Sequence, residues 1–373
     1  MASWLDFERV LDGDTLMNES QIHTDTDQFG EMNSDPEFVF VSVIVPIRNE
    51  REYIENCLNS ILNNDWPADR MEVLVIDGES DDGTIETVQA MADDDGRLKL
   101  MNNKHRIQTV ALNLGIEAAL GDVVLRVDGH AAVASDFISQ SVKALVDHPE
   151  CWCAGGVVET VNDTVLGKVI AAATSCPIGV GNSQFRIGNY EGYVDTVPFP
   201  IYWKWVFDRI GKFDEELVRN EDDELNARVL EQGGKIYLTP AIRSRYFSRS
   251  SFGKLWKQYY QYGVWRIRTV QKRGSASVRY LVPLAFVLCV ILSLTIASIF
   301  PATAIWVAAC AALYFVGLMI GATLVSRRTG WFGFVTSPLV FAILHFSYGL
   351  GSLFGVFWFS ILRHRTLSHG MSR

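Results

Sequence analysis

Short apolar runs alternate with amphipathic stretches over the first third of the chain. Residues 41–47, 71–76 and 122–127 are runs of strand length that are rich in Val, Ile and Leu. Between the first two runs, residues 54–62 place their apolar side chains at the three- and four-residue spacing of a helix face. Strands that alternate with helices of this size predict βαβ units. We therefore expect an α/β fold with a mostly parallel sheet flanked by helices.

The last quarter of the chain has a different pattern, in which almost every position is apolar. Residues 280–300 and 302–325 carry no charge, and each stretch is long enough to cross a hydrocarbon core of ~30 Å as a helix. A third apolar stretch, residues 331–362, is longer than one crossing needs and is broken by Pro338 and several glycines. We expect a helical transmembrane region over residues 280–362, with two clear spans and a third long, broken apolar segment.

Basic residues cluster beside these spans. Residues 242–279 contain ten Lys or Arg and no Asp or Glu, and they directly precede the first span. Arg327 and Arg328 follow the second span, whereas the link near Pro301 is uncharged. The positive-inside rule predicts a multi-pass protein of the cytoplasmic (inner) membrane whose large N-terminal domain faces the cytoplasm. The basic tail, residues 363–373, would also prefer that side, and the number of crossings stays open.

Negative charge is concentrated at the other end of the chain. Residues 1–40 contain ten Asp or Glu and a single Arg, so this segment carries nearly all of the net charge of −10. An acidic segment with so few apolar residues cannot bury enough surface to offset its loss of entropy. We predict an acidic, disordered N-terminal extension, which also lacks the basic start and the apolar core of a signal peptide.

Two acidic residues directly follow predicted strands. Asp77 and Asp128 each come immediately after one of the apolar runs, and in parallel sheets ligands bind beyond the carboxyl ends of the strands. Asp128-Gly129-His130 places a carboxylate and an imidazole two residues apart on a tight turn. A divalent cation, Mg²⁺ or Mn²⁺, held by Asp128 and His130 would bridge the phosphates of a nucleotide-linked substrate and stabilise their charge.

A second acidic group, residues 219–224, precedes a predicted helix that starts near Leu225. Acids at this place can simply favour the helix N-terminus. Four consecutive acids exceed what capping requires, and repulsion among them raises the pKa of at least one toward neutrality. We predict a general base for an acceptor hydroxyl here, with Asp222 favoured and Glu221 and Asp223 as alternatives.

Aromatic residues are interleaved with the basic ones over residues 241–279. This composition predicts a helical juxtamembrane segment that contacts lipid headgroups, and it suits equally the phosphate of a lipid carrier or a stacked sugar ring. Arg249 and Trp265 are the predicted acceptor or phosphate contacts. We expect no binding of nucleic acid, because the adjacent spans place this segment at a bilayer.

Five short segments follow one another in a specific order between residues 41 and 262. They are 43–50 (VIVPIRNE), 75–84 (VIDGESDDGT), 128–130 (DGH), 213–215 (FDE) and 221–222 (ED). Together they resemble glycosyltransferase family 2, whose catalytic domain has the Rossmann-like GT-A fold. The resemblance implies a GT-A catalytic domain over residues 41–240.

The resemblance also implies the role of individual residues. The implied nucleotide-sugar site comprises Pro46, Arg48, Glu50, Asp77, Arg106 and Asp128. Asp77 takes the place of the acid that contacts the nucleotide base. Leu112 replaces an arginine that family members carry in an Ala-Arg-Asn triplet, so its donor contact passes to Arg106. His130 stands at the second acid of an Asp-x-Asp motif, and Asp222 stands at the family's base.

Within the family, further segments are similar to the succinoglycan-biosynthesis type. They are 126–130, 194–199, 217–224, 246–251 and 258–266. This similarity implies an inverting hexosyltransferase that uses a nucleotide sugar, a UDP-sugar, and a polyprenyl-diphosphate-linked saccharide as acceptor. The implied role is exopolysaccharide or cell-surface polysaccharide biosynthesis, with membrane lipids and other polysaccharide-assembly enzymes as partners.

Three alternative functions share parts of this pattern. A processive polysaccharide synthase would carry a Gln-x-x-Arg-Trp motif and more spans, but here Trp265 precedes Arg266 and the intact motif is absent. A polyprenyl-phosphate sugar transferase shares both the domain and the anchor. A non-catalytic membrane scaffold would have lost the metal acid or the base, and this chain keeps Asp128 and Asp222. The transfer of a single sugar is therefore the favoured function.

Overall fold

The computed structural model describes residues 39–364 except residues 182, 189, 249 and 274–277. The predicted acidic extension (1–40) and the predicted basic tail (363–373) therefore lie almost wholly outside the described residues, and so does Arg249.

Within the described residues, nine strands form one sheet that carries the candidate site. They are β1 (Val41–Ile47), β2 (Met71–Asp77), β3 (Leu98–Asn102), β4 (Val123–Arg126), β5 (Ala131–Val133), β6 (Cys151–Val161), β7 (Gly192–Val194), β8 (Ile201–Trp203) and β9 (Lys235–Phe247). The accompanying helices are α1 (Ile54–Leu62), α2 (Thr84–Asp94), α3 (Gln108–Ala118), α4 (Phe137–Asp147), α5 (Val165–Thr174), α6 (Pro177–Val180), α7 (Gln184–Ile187), α8 (Trp205–Ile210) and α9 (Glu221–Glu231). Three longer helices follow, α10 (Phe252–Arg273), α11 (Val278–Ile299) and α12 (Ala304–Gly355).

The sheet has a parallel half and a mixed half. Its order is β3-β2-β1-β4-β8-β6-β9-β5, with β7 also paired to β9. The strands β3, β2, β1 and β4 are parallel, β8 is antiparallel to both of its neighbours, and β6 is parallel to β9. The predicted α/β fold is confirmed. The antiparallel pairs lie in the second half of the sheet, where strands of three residues gave the sequence pattern too little length to reveal them.

Helices cover both faces of the parallel half. Every residue of β1 and β2 is buried, as expected for a sheet without a solvated face. Successive side chains of β1 enter opposite cores, Val43 and Val45 on one face and Ile44 on the other. The carboxyl ends of β1, β2 and β4 therefore lie along one edge, where Asp77 and Asp128 follow their strands.

The C-terminal region is helical, as predicted. Two helices of the described chain, Tyr280–Ile299 and Pro301–Ile361, are long and apolar enough to cross a membrane. Gly330, with a φ of 67°, interrupts the longer one between its two apolar parts. A glycine tolerates this left-handed conformation without strain, so the chain can change direction there. The number of crossings stays a prediction.

Close backbone packing joins α10 to the second part of α12. A Cβ atom at Gly263 of α10 would overlap the carbonyl oxygen of Tyr348, and one at Gly351 of α12 would overlap the carbonyl oxygen of Tyr260. The Ser352 hydroxyl donates to the carbonyl oxygen of Gly263 at 3.3 Å. Small residues at such a contact allow two helices to approach closely, which fixes α10 against the apolar helices.

Candidate active site

One cavity of about 800 Å³ is lined by both the sheet domain and the apolar helices. The segment after β4, the segment before β8 and the first turn of α9 contribute polar residues to its wall. The helices α10, α11 and α12 contribute further residues, among them Tyr259 and Tyr262 of α10. We call the part of the wall formed by Arg266 together with α11 and α12 the membrane end of the cavity. It comprises Arg266, Tyr280, Val282, Pro283, Leu344, His345 and Tyr348.

Asp128 lies at the cavity wall directly beyond β4 and is held by two side chains. Arg126 donates from Nε to its Oδ1 at 3.1 Å, and Gln108 donates from Nε2 to the same oxygen at 3.3 Å. Arg126 also forms an ion pair with Glu221 at 3.3 Å. A buried arginine therefore lies between the acid that follows β4 and the acidic cluster of α9, and it offsets the repulsion between them.

His130 completes the turn after β4 and is buried. Its Nδ1 lies 3.1 Å from Oε1 of Glu50, whereas its Nε2 makes no hydrogen bond to any described residue. Glu50 thereby orients the ring, as carboxylates that hydrogen-bond to metal-binding histidines do. Gly129 is required between the two candidate ligands, because a Cβ there would overlap Ile47.

Asp128 and His130 both carry donor atoms that suit a divalent cation. The carboxylate is a hard oxygen ligand, and the buried Nε2 is a nitrogen ligand without a partner of its own among the described residues. The described residues contain no group of three or more His, Cys, Asp or Glu side chains arranged to hold a metal ion. A cation bound here would therefore take its remaining ligands from the phosphates of a substrate or from water.

The three candidate bases in the first turn of α9 differ in their ion-pair partners. Glu221 pairs with Arg126 at 3.3 Å, and Asp223 pairs with Arg266 at 2.5 Å. Asp222 accepts the backbone amide of Asp223 at 2.9 Å and has no ion pair with any described residue. Of the three carboxylates, Asp222 is the one left available to accept a proton.

The surroundings of Asp222 favour its neutral form. Burial, together with the negative charges of Asp223 and Glu221, raises the pKa of Asp222 to about 7, and Arg126 opposes this shift. A carboxylate with a pKa near the working pH is a better proton acceptor than an ordinary aspartate.

Asn220 fixes the start of α9 against α10. It adopts the left-handed conformation, with a φ of 59°, which asparagine tolerates better than most residues. Its Nδ2 donates to the carbonyl oxygen of Tyr262 at 3.2 Å, and its Oδ1 accepts from Nη2 of Arg266 at 3.3 Å. The acidic turn is thus attached to the helix that borders the apolar region.

The other predicted nucleotide residues lie toward the same sheet edge as Asp128 but do not line the cavity. Asp77 is aligned with Ile47 across β1 and β2, and its carboxylate accepts the amide of Ser80 at 2.9 Å. With strands ≈ 4.8 Å apart, Asp77 lies two strands, or roughly 10 Å, from the end of β4. Arg106 forms an ion pair with Glu79. Neither residue lines the cavity, nor do Pro46, Arg48 and Glu50, and their role in nucleotide binding stays a prediction.

Trp265, a predicted acceptor or phosphate contact, lies away from the cavity. Its side chain is buried against Phe359, with ring centroids 5.8 Å apart, and does not line the cavity. The neighbouring residue, Arg266, faces the cavity instead. Arg266 shares a helix face with Tyr262, four residues earlier, which also lines the cavity. Arg249 lies outside the described residues.

Comparison with known proteins agrees with this architecture. Residues 42–199 match the family model described as glycosyl transferase family 2. The fold is similar to that of mannosyltransferase PcManGT from Pyrobaculum calidifontis, solved in complex with GDP-Man and Mn²⁺, with a TM-score of 0.55 and 20% identity. That likeness covers 86% of this chain and 88% of that one, and it confirms the predicted GT-A fold.

Two curated relatives are similar over most of their length. One is the dolichyl N-acetyl-alpha-D-glucosaminyl phosphate 3-beta-D-2,3-diacetamido-2,3-dideoxy-beta-D-glucuronosyltransferase of Methanococcus voltae, 28% identical over 70% of this chain and 82% of the relative. The other is the succinoglycan biosynthesis protein ExoA of Rhizobium meliloti (strain 1021), 29% identical over 65% of this chain and 74% of the relative. The chain therefore contains a family 2 glycosyltransferase domain of GT-A fold, which the family model places at residues 42–199.

Proposed function

We propose that this chain is a membrane-anchored, inverting glycosyltransferase. It moves a hexose from a nucleotide sugar, a UDP-sugar, to a saccharide that is linked to a polyprenyl diphosphate. One observation carries the proposal: a single cavity is lined both by the acids Asp128 and Asp222 and by Pro283 and Leu344 of the apolar helices. A reaction that joins a water-soluble donor to a lipid-linked acceptor needs both kinds of surface in one place.

The names of the two relatives support the class of acceptor. One relative is named for succinoglycan biosynthesis, and the other is named for transfer to a dolichyl-linked sugar phosphate. We infer a role in exopolysaccharide or cell-surface polysaccharide biosynthesis, beside other enzymes of the same assembly.

The proposed arrangement follows the charge of the chain. Residues 41–240 form the catalytic domain, residues 241–279 the basic segment at the membrane surface, and residues 280–362 the membrane anchor. The ten basic residues of the middle segment favour the cytoplasmic side of the inner membrane, where nucleotide sugars are available.

Asp222 is the proposed base of the transfer. Its carboxylate removes the proton from the acceptor hydroxyl as that oxygen attacks the anomeric carbon of the donor sugar. The bond from this carbon to the diphosphate oxygen breaks, the nucleoside diphosphate leaves with the electron pair, and Asp222 keeps the proton. A single displacement of this kind inverts the anomeric configuration. The support for Asp222 is that both neighbouring acids are ion-paired, whereas it is not paired to any described residue.

The proposed donor site lies along the carboxyl ends of β1, β2 and β4. Asp128 and His130 would hold Mg²⁺ or Mn²⁺, which when bound neutralises the negative charge of the leaving diphosphate. Asp77 and Arg106, with Pro46, Arg48 and Glu50, would bind the nucleotide.

A transfer assay with the full-length protein in membranes tests the proposal. Labelled UDP- and GDP-sugars are each offered with polyprenyl-diphosphate-linked saccharides and with polyprenyl phosphate, with and without divalent cation. We expect one sugar to be added to the diphosphate-linked saccharide, and the product to have the opposite anomeric configuration from the donor.

Each alternative function predicts a different product. A processive synthase would give a ladder of lengths, and a polyprenyl-phosphate sugar transferase would load the bare lipid phosphate. A non-catalytic scaffold would give no product with any donor. Any of these results would reject the proposed function.

A further inference from the structure

We propose that Arg266, together with Tyr348 and Tyr280, forms a phosphate-binding site that holds the phosphate of the acceptor lipid at the membrane end of the cavity. This inference rests on the proposed function, because it identifies the part of the acceptor that the site recognises. The ligand chemistry is a phosphate ester or diphosphate that is attached to a long hydrocarbon chain.

The first evidence is an incomplete set of hydrogen bonds around a buried charge. Arg266 is 7% exposed, and its Nε donates to the hydroxyl of Tyr348 at 3.1 Å. Its Nη2 contacts Asp223 and Asn220, whereas its Nη1 makes no hydrogen bond to any described residue. A buried guanidinium donor without an acceptor costs free energy, and a phosphate oxygen in the cavity would supply the acceptor.

The second evidence is the surroundings of this guanidinium. Its planar group lies over the ring of Tyr280 with 4.0 Å from its carbon atom to the ring centroid, which fixes its orientation. Arg219 also lines the cavity, and its Nε has no hydrogen-bond partner among the described residues either. Since Asp223 offsets the charge of Arg266, Arg219 supplies the additional positive charge that an anion requires.

The third observation is that apolar residues, a cationic residue and an acidic residue belong to adjoining elements of the cavity wall. Arg266 lies on α10, whereas Val282, Pro283 and Leu344 belong to the apolar helices α11 and α12. Asp222 is on the adjoining turn of α9. A lipid-linked saccharide has the same order, with hydrocarbon, phosphate and then sugar, so a phosphate at Arg266 would direct the sugar toward Asp222.

The Arg266–Asp223 ion pair gives this site a second role. Asp223 directly follows Asp222, and Arg266 also contacts Asn220, which begins the same helical turn. A phosphate that binds Arg266 therefore contacts the group that positions the proposed base. The site would favour acceptors with a phosphate at the correct distance from the accepting hydroxyl.

Binding of defined lipids to the purified full-length protein tests the inference without requiring turnover. The probes are polyprenyl diphosphate, polyprenyl phosphate, uncharged polyprenol and inorganic pyrophosphate, and the readout is the shift in unfolding temperature in detergent. We expect a clear shift with either phosphorylated lipid, and a much smaller one with polyprenol or pyrophosphate. An equal shift with polyprenol, or with pyrophosphate alone, would overturn the lipid-phosphate assignment.

Arg266→Lys is the test variant, since it keeps a charge for Asp223 but removes Nη1. We expect it to lose the shift with phosphorylated lipids, to keep the shift with UDP, and to raise the acceptor KM about 10- to 100-fold, the usual effect of a charge-assisted hydrogen bond. The donor KM should not change. Arg268→Lys is the matched control, because Arg268 lies on the same helix, pairs with Glu216 at 3.0 Å and does not line the cavity.

A second variant keeps the inference testable if Arg266→Lys does not fold. The double substitution Arg266→Met with Asp223→Asn removes both charges of the pair, so no unpaired charge stays buried. If either folded variant keeps the wild-type shift with phosphorylated lipids, the inference is wrong. If the wild-type protein binds these lipids through Arg266 but transfers no sugar to any acceptor, the proposed function fails and the binding site stands.

Discussion

Arg126 and Glu221 form an ion pair at 3.3 Å that joins the end of β4 to the first turn of α9. The same guanidinium donates from Nε to Asp128 at 3.1 Å. One buried arginine therefore holds the proposed metal ligand and the proposed catalytic turn at the same cavity. Asp128 and Glu221 are like charges that repel each other. Arg126 lies between them and offsets this repulsion, so the two acids can stay close.

Arg126→Met should lower kcat about 100-fold, a cost typical of reacting groups that are displaced by about 1 Å. The substitution leaves Asp128 and Glu221 without their shared partner, so the turn of α9 should move away from the end of β4. The measurement is kcat at saturating donor and acceptor. Arg97→Met removes an arginine that pairs with Asp95 at 2.6 Å outside the cavity, and it should keep kcat. A wild-type kcat in folded Arg126→Met would refute the positioning role.

Asp222→Asn should reduce transfer about 100- to 10,000-fold, the usual contribution of a general base. The amide has the same shape but cannot accept the proton of the hydroxyl. The fold already favours the neutral form of Asp222, so the unfolding temperature at pH 8 should not fall. Glu221→Gln and Asp223→Asn are the comparison variants and should lose less activity. If one of them lost more than Asp222→Asn, the base would be that residue.

The pH dependence of kcat/KM should report the raised pKa of Asp222. The base works as a carboxylate, so activity is full above its pKa and is lost as the pH falls through about 7. Glu221→Gln removes one of the negative charges that raise this pKa, and the acidic limb should move to lower pH. The check is a profile from pH 5.5 to 9 for both proteins. An acidic limb near pH 4 in the wild-type protein would contradict the assignment.

Most of the parallel half of the sheet was predictable, because its strands are continuous apolar runs and its acids follow them directly. The pairing of Arg126 with Glu221 was not, since it joins residues far apart in the chain and leaves no local pattern. The same holds for Arg266 and Asp223. Sequence alone could place Asp222 in an acidic cluster, but it could not show that both neighbours of Asp222 have cationic partners.

The position of Trp265 shows that amino-acid composition does not predict which side chains of a helix face a cavity. An aromatic residue beside basic ones predicts an interfacial contact, yet neighbouring positions on a helix point about 100° apart. In this chain that rotation buries Trp265 against Phe359 and turns Arg266 to the cavity. Which of two adjacent residues faces a ligand depends on how α10 packs on α12, and that contact is set by glycines at distant positions.

Chelation of divalent cations should abolish transfer, and Mn²⁺ or Mg²⁺ should restore it. His130→Gln should raise the Mn²⁺ concentration needed for half-maximal activity by at least about 10- to 100-fold, which is the usual loss of affinity when a group that merely supports a metal ligand is removed. Direct Mn²⁺ binding, followed by electron paramagnetic resonance in the presence of UDP, gives a second measure. His148→Gln, at a histidine that stacks on Tyr237 outside the cavity, is the control. Full activity of the wild-type protein in excess chelator would remove the cation from the mechanism.

Gly351→Ala should lower the stability of the protein, because it disturbs the contact between α10 and α12 beside the cavity. The added methyl group would overlap the carbonyl oxygen of Tyr260, and we expect the free energy of unfolding to fall by about 1–3 kcal/mol, as for other overpacked contacts. Gly317→Ala is the matched control on α12, because a Cβ at Gly317 has no atom within 4 Å. Thermal unfolding in detergent compares the two variants.

The same substitution should also affect binding of the acceptor. Arg266 is on α10, and the hydroxyl of its partner Tyr348 is on α12, so moving these helices apart lengthens the contact of 3.1 Å between them. We therefore expect Gly351→Ala to raise the acceptor KM while the donor KM stays unchanged, because the proposed donor residues lie at the edge of the sheet. If the donor KM rose as much as the acceptor KM, the helix contact would support the whole domain rather than the membrane end of the cavity.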